Sequence, residues 1–269
     1  MVALFAFDKF TRMNASVVLV TGASAGIGQA CVKRFLELGA FVIGWSRRPT
    51  TAPAGYEEKF FHQVVDVRDR NNVHRAYTDL VTHLSTRKPQ ASQQDGIDVL
   101  VNNAGLSRGL GSVHEGNSED WVEMIDTNIK GLLWVTQVVS ANMVARGRGT
   151  IVNIASVAGR QPYRGGNVYG ATKAAVKMLS DSMQLDFNGT GVRVCNIDPG
   201  MVETEFSLVR YRGDSERAKK VYTGLQPLSA DDVADTVVYA ATRPQHVTLQ
   251  DILLMPTDQA SVNLVNRKP

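Results

Sequence analysis

The strongest constraint on the fold is a regular alternation of short apolar runs with helical stretches. Seven almost continuously apolar runs follow one another from residue 16 onward: Val17–Val20, Phe41–Ile43, Val64–Val67, Val99–Val101, Ile151–Ile154, Val192–Ile197 and Ile252–Leu254. Such runs are typical of strands that are buried on both faces of a parallel sheet. Helices between parallel strands cover both faces of the sheet. The pattern therefore predicts one α/β domain with a doubly wound sheet of about seven parallel strands.

Helical periodicity separates the predicted strands. The first helix follows a glycine-rich turn and ends at Gly39, where a C-cap glycine is expected. The spacing predicts a second helix over about Glu119–Val139 and a third over about Val168–Phe187. Two stretches lack this periodicity. We predict that Pro49–Gly55 is a loop in place of a helix, and that Ser85–Gly96 is a surface insertion before the fourth strand.

The first fifteen residues do not match the rest of the pattern. Their apolar patch, Val2–Phe7, is followed by Asp8 and Lys9, and it lacks the order of a secretory signal. We interpret residues 1–15 as an N-terminal extension and residues 16–269 as the folded domain. The expected location is cytoplasmic, and a role of the extension in targeting to an organelle stays open.

Composition excludes several classes of protein. The chain of 269 residues has two cysteines, Cys31 and Cys195, far apart and outside any C-x-x-C motif. This argues against a disulfide scaffold and a cysteine-based zinc module. None of the five histidines has metal-ligand spacing, and no apolar run reaches the ~18 residues of a membrane span. The net charge of +3 is dispersed, unlike the clustered charge of a nucleic-acid-binding protein. We expect no metal, membrane or nucleic-acid partner.

The first strand runs into a glycine-rich turn, T-G-A-S-A-G-I-G, at Thr21–Gly28. Glycines allow the backbone to approach a pyrophosphate, and the following helix N-terminus offers unpaired N–H groups to it. Glycines after a strand can also simply form a turn. The strand–turn–helix setting favours a dinucleotide site, to which we assign Gly22, Ser24, Ile27 and Gly28.

The end of the second predicted strand bears on the choice of dinucleotide. An acidic residue there binds the ribose hydroxyls in NAD-specific proteins. This chain has Arg47 and Arg48 instead, with no carboxylate beside them in the sequence. Guanidinium groups form forked, charge-assisted hydrogen bonds with phosphate oxygens. The pair therefore favours NADP, and the alternative is two solvated arginines at a strand end.

Three residues have the chemistry of an acid–base site. Tyr169 and Lys173 form Y-x-x-x-K, a spacing that puts both side chains on one helix face. A nearby cation favours the phenolate and so lowers the pKa of the tyrosine towards neutrality. Ser156 follows the fifth predicted strand and could orient a substrate oxygen. Individually, Y-x-x-x-K is common on amphipathic helices, and a serine at a strand end is often a cap.

Further polar motifs occur at the same predicted edge of the sheet. The sequence N-N-A-G at Asn102–Gly105 follows the fourth strand, and D-P-G at Asp198–Gly200 follows the sixth. Asn128 is an unfavourable residue inside a predicted helix, with no evident packing role. Each feature alone could be a turn or a solvent-facing residue. Their joint occurrence predicts one site at one edge of the sheet.

These motifs together resemble the short-chain dehydrogenase/reductase family over about Ser16–Ser261. The motifs that carry the resemblance are T-G-A-S-A-G-I-G, N-N-A-G, D-P-G-M-V-E-T and the set of Asn128, Ser156, Tyr169 and Lys173. The resemblance implies a Rossmann-like fold and a dehydrogenase or reductase activity. It implies that Tyr169 is the general acid/base and that Lys173 lowers its pKa while binding the nicotinamide ribose. It also implies that Ser156 positions the substrate oxygen and that Asn128 supports a water relay to Lys173.

The same resemblance implies the remaining cofactor contacts. Asp66 and Val67 are expected to flank the adenine, and the N-N-A-G motif is expected near the ribose. The segment after the sixth strand is expected around the nicotinamide amide. The residues concerned in these last two groups are Asn103, Ala104, Gly105, Pro199, Gly200, Val202 and Thr204.

A narrower resemblance concerns the C-terminal third of the chain. Residues 202–210, 230–234 and 255–261 are similar to the NADP-dependent 3-hydroxy acid dehydrogenase branch, whose members oxidise serine, allo-threonine and related short acids at the 3-hydroxyl. The loop that begins at Pro49 departs from that branch, which has a helix there. A carboxylate substrate, for example 3-hydroxyisobutyrate, requires a cation in the pocket. Our candidates are Arg160, Arg164 and Arg210.

Two other functions stay open. The chain could be a reductase of the same family that acts on a steroid, an acyl thioester or a xenobiotic ketone, because the loop after Gly200 determines the substrate. It could also be a catalytically silent dinucleotide sensor, although such a protein would be expected to lack part of the Ser–Tyr–Lys set. The second and third predicted helices carry more apolar surface than one sheet face needs. In the family that the chain resembles, these helices commonly pair across a two-fold axis, which implies a homotetramer, or at least a homodimer.

Overall fold

In the computed structural model, which describes residues 13–87 and 96–268, seven parallel strands form one sheet. The spatial order is β3-β2-β1-β4-β5-β6-β7, so the chain reverses its direction of progress across the sheet between β1 and β4. This is the doubly wound arrangement that the sequence predicted. The strands are β1 (Val17–Thr21), β2 (Phe41–Ser46), β3 (Phe60–Val64), β4 (Val99–Asn102), β5 (Gly149–Ile154), β6 (Val192–Pro199) and β7 (Asp251–Leu254).

Helices cover both faces of this sheet. The helices are α1 (Gly26–Glu37), α2 (Arg70–Arg87), α3 (Ser118–Ile125), α4 (Leu132–Arg146), α5 (Asn167–Asp186), α6 (Phe206–Arg210), α7 (Ser215–Lys220) and α8 (Ala230–Ala241). Buried side chains of α1 and α8 pack in one apolar cluster, and those of α2, α4 and α5 pack in a second. The two clusters lie on opposite faces of the sheet.

The central strand β1 explains why its sequence is apolar at every position. Its side chains alternate between the two clusters: Val18 and Val20 pack with α1 and α8, whereas Val17 and Leu19 pack with α2, α4 and α5. All five residues of the strand are buried. A strand that contacts helices on both faces has no solvent-facing position, so the alternation of polar and apolar residues disappears.

Buried polar side chains connect β4 and β5 to two helices. Asn102 lies opposite Asn153 in the sheet, and its Nδ2 donates to Asn153 Oδ1 at 2.9 Å and to Thr136 Oγ1 of α4 at 2.9 Å. The Nδ2 of Asn153 donates in turn to Ser180 Oγ of α5 at 2.9 Å. Hydrogen bonds between buried groups fix geometry more sharply than apolar contacts do. We infer that this group holds α5 at a defined position on the sheet.

The third strand is displaced from its predicted position. The apolar run predicted a strand at Val64–Val67, but β3 ends at Val64 and begins at Phe60. It lies at the edge of the sheet and is only partly buried, so its sequence, F-F-H-Q-V, lacks a continuous apolar run. Val65 and Val67 are buried just beyond the strand and line a cleft. The apolar run in the sequence therefore reflects residues of the cleft wall and not the strand itself.

The second predicted helix, Glu119–Val139, is longer and less regular than expected. It comprises α3, a wider π-helical turn over Asp126–Gly131, and α4. Asn117 caps the start, because its side chain accepts hydrogen bonds from two main-chain N–H groups of the first turn. The end is at Gly147, whose φ of 67° is the left-handed conformation that glycine readily adopts.

The predicted N-terminal extension and the predicted insertion before the fourth strand lie partly outside the described residues. Residues 1–12 of the predicted extension lie outside them, but Met13 is buried in the core, and its N–H donates to Leu38 O at 2.9 Å. The packed structure thus begins before Ser16. Of the predicted insertion, residues 85–87 form the last turn of α2, and residues 88–95 lie outside the described part.

Candidate active site

A cleft of about 440 Å³ opens at the carboxyl edge of the sheet, where the strand order reverses. Open α/β sheets bind their ligands at this place. The cleft brings together most of the residues that the sequence singled out. Its lining contains Gly22, Ser24, Ile27, Arg47, Arg48, Asp66, Val67, Asn103, Ala104, Gly105, Ser156, Tyr169, Lys173, Pro199, Gly200, Val202 and Thr204.

The glycine turn is closely packed against its neighbours. Gly22 has a φ of 68°, and a Cβ added there would lie 2.8 Å from Asn103 Nδ2. Gly28 does not line the cleft, but a Cβ there would overlap the carbonyl oxygen of Gly22. Asn103 Nδ2 also donates to Thr21 O at 3.0 Å, which ties the turn to the end of β4. The sequence therefore needs glycine at both positions to keep this part of the cleft open.

The first turn of α1 is suited to an anion. Its N-cap is Ala25, in extended conformation, and the side chain has no oxygen to accept a hydrogen bond from the helix. No acidic residue lies in the first turn. The N–H groups there are thus left to a ligand, and the helix dipole favours negative charge. This geometry fits the pyrophosphate of a dinucleotide.

The two arginines at the end of β2 lie at the rim of the cleft and are half-exposed. Arg47 is 3.8 Å from Glu123 Oε1, and Arg48 Nη2 is 2.7 Å from Glu205 Oε2. The sequence did not reveal these carboxylates, because they are distant in the chain. Ion pairs between exposed groups are weak, so a phosphate group can compete for both guanidiniums.

Two further arginines line the cleft and were missed by the sequence analysis. Arg68 binds Asp66 with an Nη2–Oδ2 distance of 2.6 Å, and Arg108 binds Glu123 with an Nε–Oε2 distance of 2.7 Å. Burial alone would raise the pKa of Asp66, but the hydrogen bonds and charge of Arg68 outweigh it and lower that pKa. The carboxylate of Asp66 is thus held by Arg68. The one available sign of Arg68 in the sequence was its place directly after Asp66 and Val67.

Thr127 is another residue that the sequence did not suggest. It lies in the π-helical turn, is 7% exposed and lines the cleft. Its Oγ1 is buried and has no hydrogen-bond partner within residues 13–87 and 96–268. An unsatisfied buried hydroxyl costs free energy, and a polar ligand atom in the cleft would remove that cost. This too fits a bound dinucleotide.

Ser156 lies two residues after the end of β5 and is buried. Its Oγ accepts a hydrogen bond from Ala158 N at 3.1 Å, and its own N–H donates to Asp198 Oδ1 at 3.0 Å. Its side chain also acts on the Tyr169 phenol and lowers the pKa of that group. Ser156 therefore acts as a cap, as the alternative interpretation held, and also lies next to the phenol.

Tyr169 lies in the first turns of α5 and is 8% exposed. Burial raises the pKa of its phenol to about 12. The charge of Arg210 and the hydrogen bond with Ser156 act in the opposite direction and lower this pKa. The resemblance gave the pKa-lowering role to Lys173, but in this structure the strongest lowering effect comes from Arg210.

Lys173 is one helical turn beyond Tyr169 and is buried. Its Nζ donates to Ile154 O at 2.8 Å and lies 6.0 Å from the centre of the Tyr169 ring. Burial lowers the pKa of the ammonium group to about 8, while the charge of Asp198 acts against this shift. Lys173 is therefore still mainly protonated at neutral pH and can donate hydrogen bonds in the cleft.

Asn128 has the packing role that was not evident from the sequence. Its side chain accepts from Leu106 N at 2.9 Å, and it donates to Leu106 O at 2.9 Å and to Thr172 Oγ1 at 3.0 Å. It is 2% exposed and does not line the cleft. Its side chain thus holds α5 beside Lys173, against the segment that follows β4.

The three candidate substrate cations occupy different places. Arg210 lies behind the cleft wall, with its guanidinium carbon 5.3 Å from the centre of the Tyr169 ring and Nη2 3.3 Å from Tyr163 OH. Arg160 lies outside the cleft lining, and Asp198 and Asp251 bind its guanidinium. Arg164 is exposed and also outside the lining. The structure therefore brings Arg210 to the site and not Arg160 or Arg164.

The segment after β6 supplies the remaining wall of the cleft. Phe206 and Val209 of α6 line it, and the rings of Phe206 and Tyr169 are 5.6 Å apart. Arg108 Nη1 donates to Val209 O at 2.7 Å, which fastens α6 to the segment after β4. The sequence analysis assigned substrate choice to this segment but did not identify these side chains.

No helix within residues 13–87 and 96–268 is long and apolar enough to cross a membrane. Over the same ranges, no group of three or more His, Cys, Asp and Glu side chains is arranged to bind a metal ion. Both cysteines are buried free thiols, and burial raises the pKa of each to about 12.

Comparison with known proteins agrees with the fold and the motifs. NADP-dependent 3-hydroxy acid dehydrogenase YdfG of Salmonella typhi is 44% identical over 92% of this chain and 98% of its own length. Serine 3-dehydrogenase of Rhizobium radiobacter is 41% identical over 90% of this chain and 94% of its own.

A serine dehydrogenase solved in its closed form with NADP+ is 40% identical. It covers 92% of this chain and 98% of its own, with a TM-score of 0.82. The family model described as short chain dehydrogenase matches residues 16–212. The family predicted from the motifs is thus confirmed: the chain belongs to the short-chain dehydrogenases.

Proposed function

We propose that the protein oxidises the 3-hydroxyl group of short 3-hydroxy acids, of the serine, allo-threonine and 3-hydroxyisobutyrate type, with NADP as hydride acceptor. The names of the relatives support this substrate class. The observation that carries it is the position of Arg210 directly beside Tyr169, which lines the cleft together with Ser156. A hydroxyl-binding pair and a cation within one small space suit a substrate that carries both a hydroxyl and a carboxylate.

In this proposal, two residues act on the substrate hydroxyl. Ser156 binds the hydroxyl oxygen, and the Tyr169 phenolate accepts its proton. NADP, when bound, would supply the acceptor for the hydride that leaves the carbon bearing this hydroxyl. In the reverse direction the phenol returns the proton to the substrate oxygen. Both side chains line the cleft, and the Ser156 side chain lowers the pKa of the phenol, which supports this assignment.

Lys173 and Asn128 act behind the phenol. Lys173 binds the nicotinamide ribose and, as a buried cation, favours the phenolate. Asn128 supports the path by which the proton moves from this site to water. Its hydrogen bond to Thr172, the neighbour of Lys173, keeps the ammonium in place beside the cleft.

NADP rather than NAD is proposed because of Arg47 and Arg48. Both line the cleft at the end of β2, where the ribose of the adenosine half would lie. Glu205 is half-exposed, whereas Glu123 is only 22% exposed, so a 2′-phosphate can replace Glu205 beside Arg48 more readily than Glu123 beside Arg47. A guanidinium fork gains more from a phosphate dianion than from a carboxylate in water.

Arg210 is proposed to bind the substrate carboxylate. Within residues 13–87 and 96–268 no carboxylate forms an ion pair with it, whereas Arg160 binds two. Its guanidinium donates to Ser107 Oγ at 3.1 Å and to Tyr163 OH at 3.3 Å, and these neutral groups leave its charge uncompensated. Phe206 and Val209 of the same helix line the cleft, and the guanidinium carbon of Arg210 lies 5.0 Å from the centre of the Phe206 ring.

The test is a substrate panel with both NADP and NAD. L-Serine, L-allo-threonine and 3-hydroxyisobutyrate are each offered, and reduction of the cofactor is followed by absorbance. We expect turnover with NADP on at least one acid, and weaker turnover with NAD. L-Serine methyl ester is the matched control, because it keeps the hydroxyl but lacks the carboxylate charge. Turnover of ketones or thioesters without turnover of any acid would contradict the proposal and favour the broader reductase.

We also propose that the chain assembles as a homotetramer or homodimer. Met178 and Leu185 of α5 are 65% and 80% exposed, and Val144 of α4 is 38% exposed. Large apolar side chains in a group on one face are typical of interfaces. Light scattering on the purified protein measures the state directly, and a monomer at micromolar concentration would contradict it.

A further inference from the structure

Asp198 is a fully buried carboxylate directly behind the candidate catalytic residues. It lies near the end of β6 and is 0% exposed. Its Oδ1 accepts the N–H of Ser156 at 3.0 Å, and its Oδ2 accepts Arg160 Nε at 2.6 Å and Asn196 Nδ2 at 2.8 Å. Burying a carboxylate is costly unless it is paired and hydrogen-bonded. Both conditions are met here.

We propose that Asp198 and Arg160 form a positioning pair for the acid–base site. The carboxylate of Asp198 anchors the main chain of Ser156, and the guanidinium of Arg160 neutralises that carboxylate beside the Tyr169 phenol. This inference rests on the proposed roles of Ser156 and Tyr169. It also gives Arg160 a different role from the substrate contact that the sequence suggested.

Asp198 helps to fix the direction of the Ser156 hydroxyl. Ser156 is in extended conformation, with φ −175° and ψ 153°. Asp198 holds its N–H, and the N–H of Ala158 holds its Oγ. Main chain and side chain are therefore both fixed, so the hydroxyl proton is left to point towards the phenol or a substrate oxygen. Preorganised hydrogen-bond partners are what such a site requires.

Asp198 also acts on the Tyr169 phenol through its negative charge, and Arg160 reduces this effect. The negative charge of Asp198 raises the pKa of Tyr169 and also that of Lys173. Such a charge acts strongly because little water surrounds it. Burial raises the pKa of Asp198 itself, while the hydrogen bond and charge of Arg160 act against that rise. The hydrogen bond and the charge of Arg160 thus favour the ionised carboxylate and offset its effect on the phenol.

Other charged and titratable groups surround this pair. Besides Asp198, those that act on the Tyr169 phenol are Arg210, Ser156 and Tyr163, and Lys173 Nζ lies 6.0 Å from the centre of the ring. Those that contact or act on the Asp198 carboxylate are Arg160, Asn196, Ser156 and Asp251. Asp251 also binds Arg160 and lies 3.7 Å from Lys177, which pairs with Asp181. The network therefore extends from Ser156 to the edge strand β7.

The decisive experiment compares Asp198→Asn with Asp251→Asn. Asparagine at 198 keeps an oxygen that can accept the Ser156 N–H but removes the negative charge. The rate of oxidation with NADP rises with pH as the phenol loses its proton. We expect this rise to move to lower pH by about half a unit or more in Asp198→Asn. Asp251→Asn removes the charge of the other carboxylate that binds Arg160, further from Ser156, and we expect a smaller shift.

Arg160→Gln tests the same pair from the other side. It leaves the charge of Asp198 without its counter-ion, so we expect the rise to move to higher pH. A purely structural role would lower kcat in both variants but would not shift their pH profiles in opposite directions. Thermal denaturation with bound NADP identifies a variant that does not fold, and the other variant then decides alone.

Tyr169→Phe separates this inference from the proposed function. If Tyr169→Phe keeps full turnover, the acid–base role itself is wrong. If it loses turnover while Asp198→Asn and Arg160→Gln keep the wild-type pH profile, the positioning pair alone is overturned. Asp198→Ala, which removes the anchor as well as the charge, is expected to lower kcat more than Asp198→Asn does. Equal kcat in these two variants would overturn the anchoring part.

Discussion

The guanidinium of Arg210 lies 5.3 Å from the centre of the Tyr169 ring, and the phenol of this ring is the candidate acid/base. Burial raises the pKa of the phenol to about 12, and Arg210 is the strongest influence in the opposite direction. Arg210 belongs to α6, in the segment that determines the substrate in the proposed function. The residue proposed to bind the carboxylate is thus also the one that adjusts the acidity of the phenol.

Arg210→Gln is expected to shift the pH dependence of oxidation to higher pH. Without the positive charge the phenolate is less stable, so the pKa of Tyr169 rises further. The rate, which requires the phenolate, then reaches its maximum at higher pH. The pH profile of kcat/KM measures this shift. Arg210→Lys keeps a positive charge and is the control; the same shift in both variants would contradict the explanation.

The same substitution is expected to raise KM for a carboxylate substrate. Loss of one charge-assisted hydrogen bond costs about 1.5–3 kcal/mol, which corresponds to at least about a tenfold loss of affinity. KM for an uncharged carbonyl substrate provides the comparison, because it has no carboxylate to lose. Equal effects on the two substrates would mean that Arg210 does not bind the carboxylate.

Tyr169→Phe is expected to reduce kcat by about 10²–10⁴-fold, the usual contribution of a general acid/base. The dissociation constant for NADP is expected to stay close to the wild-type value, since the ring remains and only the hydroxyl is lost. Fluorescence titration measures binding, and initial rates measure turnover. Wild-type turnover in this variant would show that another group transfers the proton.

Arg48→Gln is expected to weaken the binding of NADP by about tenfold or more, with little effect on NAD, because one charge-assisted bond to the 2′-phosphate is lost. Titration with both dinucleotides at two salt concentrations measures the difference, and the NADP preference of the wild type should decrease with salt. Arg34→Gln, on the outer part of α1 with partners Glu37, Asp231 and Asp235, is the control. Equal losses for NADP and NAD would place the phosphate contact elsewhere.

Asn128→Ala is expected to lower the free energy of unfolding by about 2–4 kcal/mol. The substitution leaves the main-chain N–H and C=O of Leu106 and the hydroxyl of Thr172 without their partner in a buried place. Urea denaturation measures the change. Asn71→Ala, at an exposed position of α2, is the control and should cost far less. Similar values for the two variants would contradict the role of Asn128 as a structural connection.

The local sequence predicts those parts of the site that lie at strand ends. The glycine turn, Ser156 and Tyr169 were all predictable because each follows a buried strand or begins a helix, and parallel strands end at one edge. Contacts between distant segments could not be predicted in this way. Glu205 beside Arg48 and Glu123 beside Arg108 depend on how loops cross the cleft, which periodicity does not encode.

The position of β3 illustrates the corresponding limit for the fold. Hydrophobic runs identify strands that are buried on both faces, but β3 is an edge strand with partly exposed side chains. Val65 and Val67 gave a stronger apolar signal than the strand itself, because they form the cleft wall. The prediction was therefore right in the number of strands and wrong in the placement of this one.

The pair of buried amides, Asn102 and Asn153, has a consequence for how the sheet can assemble. Side chains of neighbouring residues in a strand point to opposite faces, so a shift of one residue between β4 and β5 would separate the two amides. The hydrogen bond between them would be lost, and the amide of the shifted strand would also leave its helix partner, Thr136 or Ser180. The hydrogen bonds therefore penalise misaligned pairing of two strands whose apolar residues alone would tolerate it.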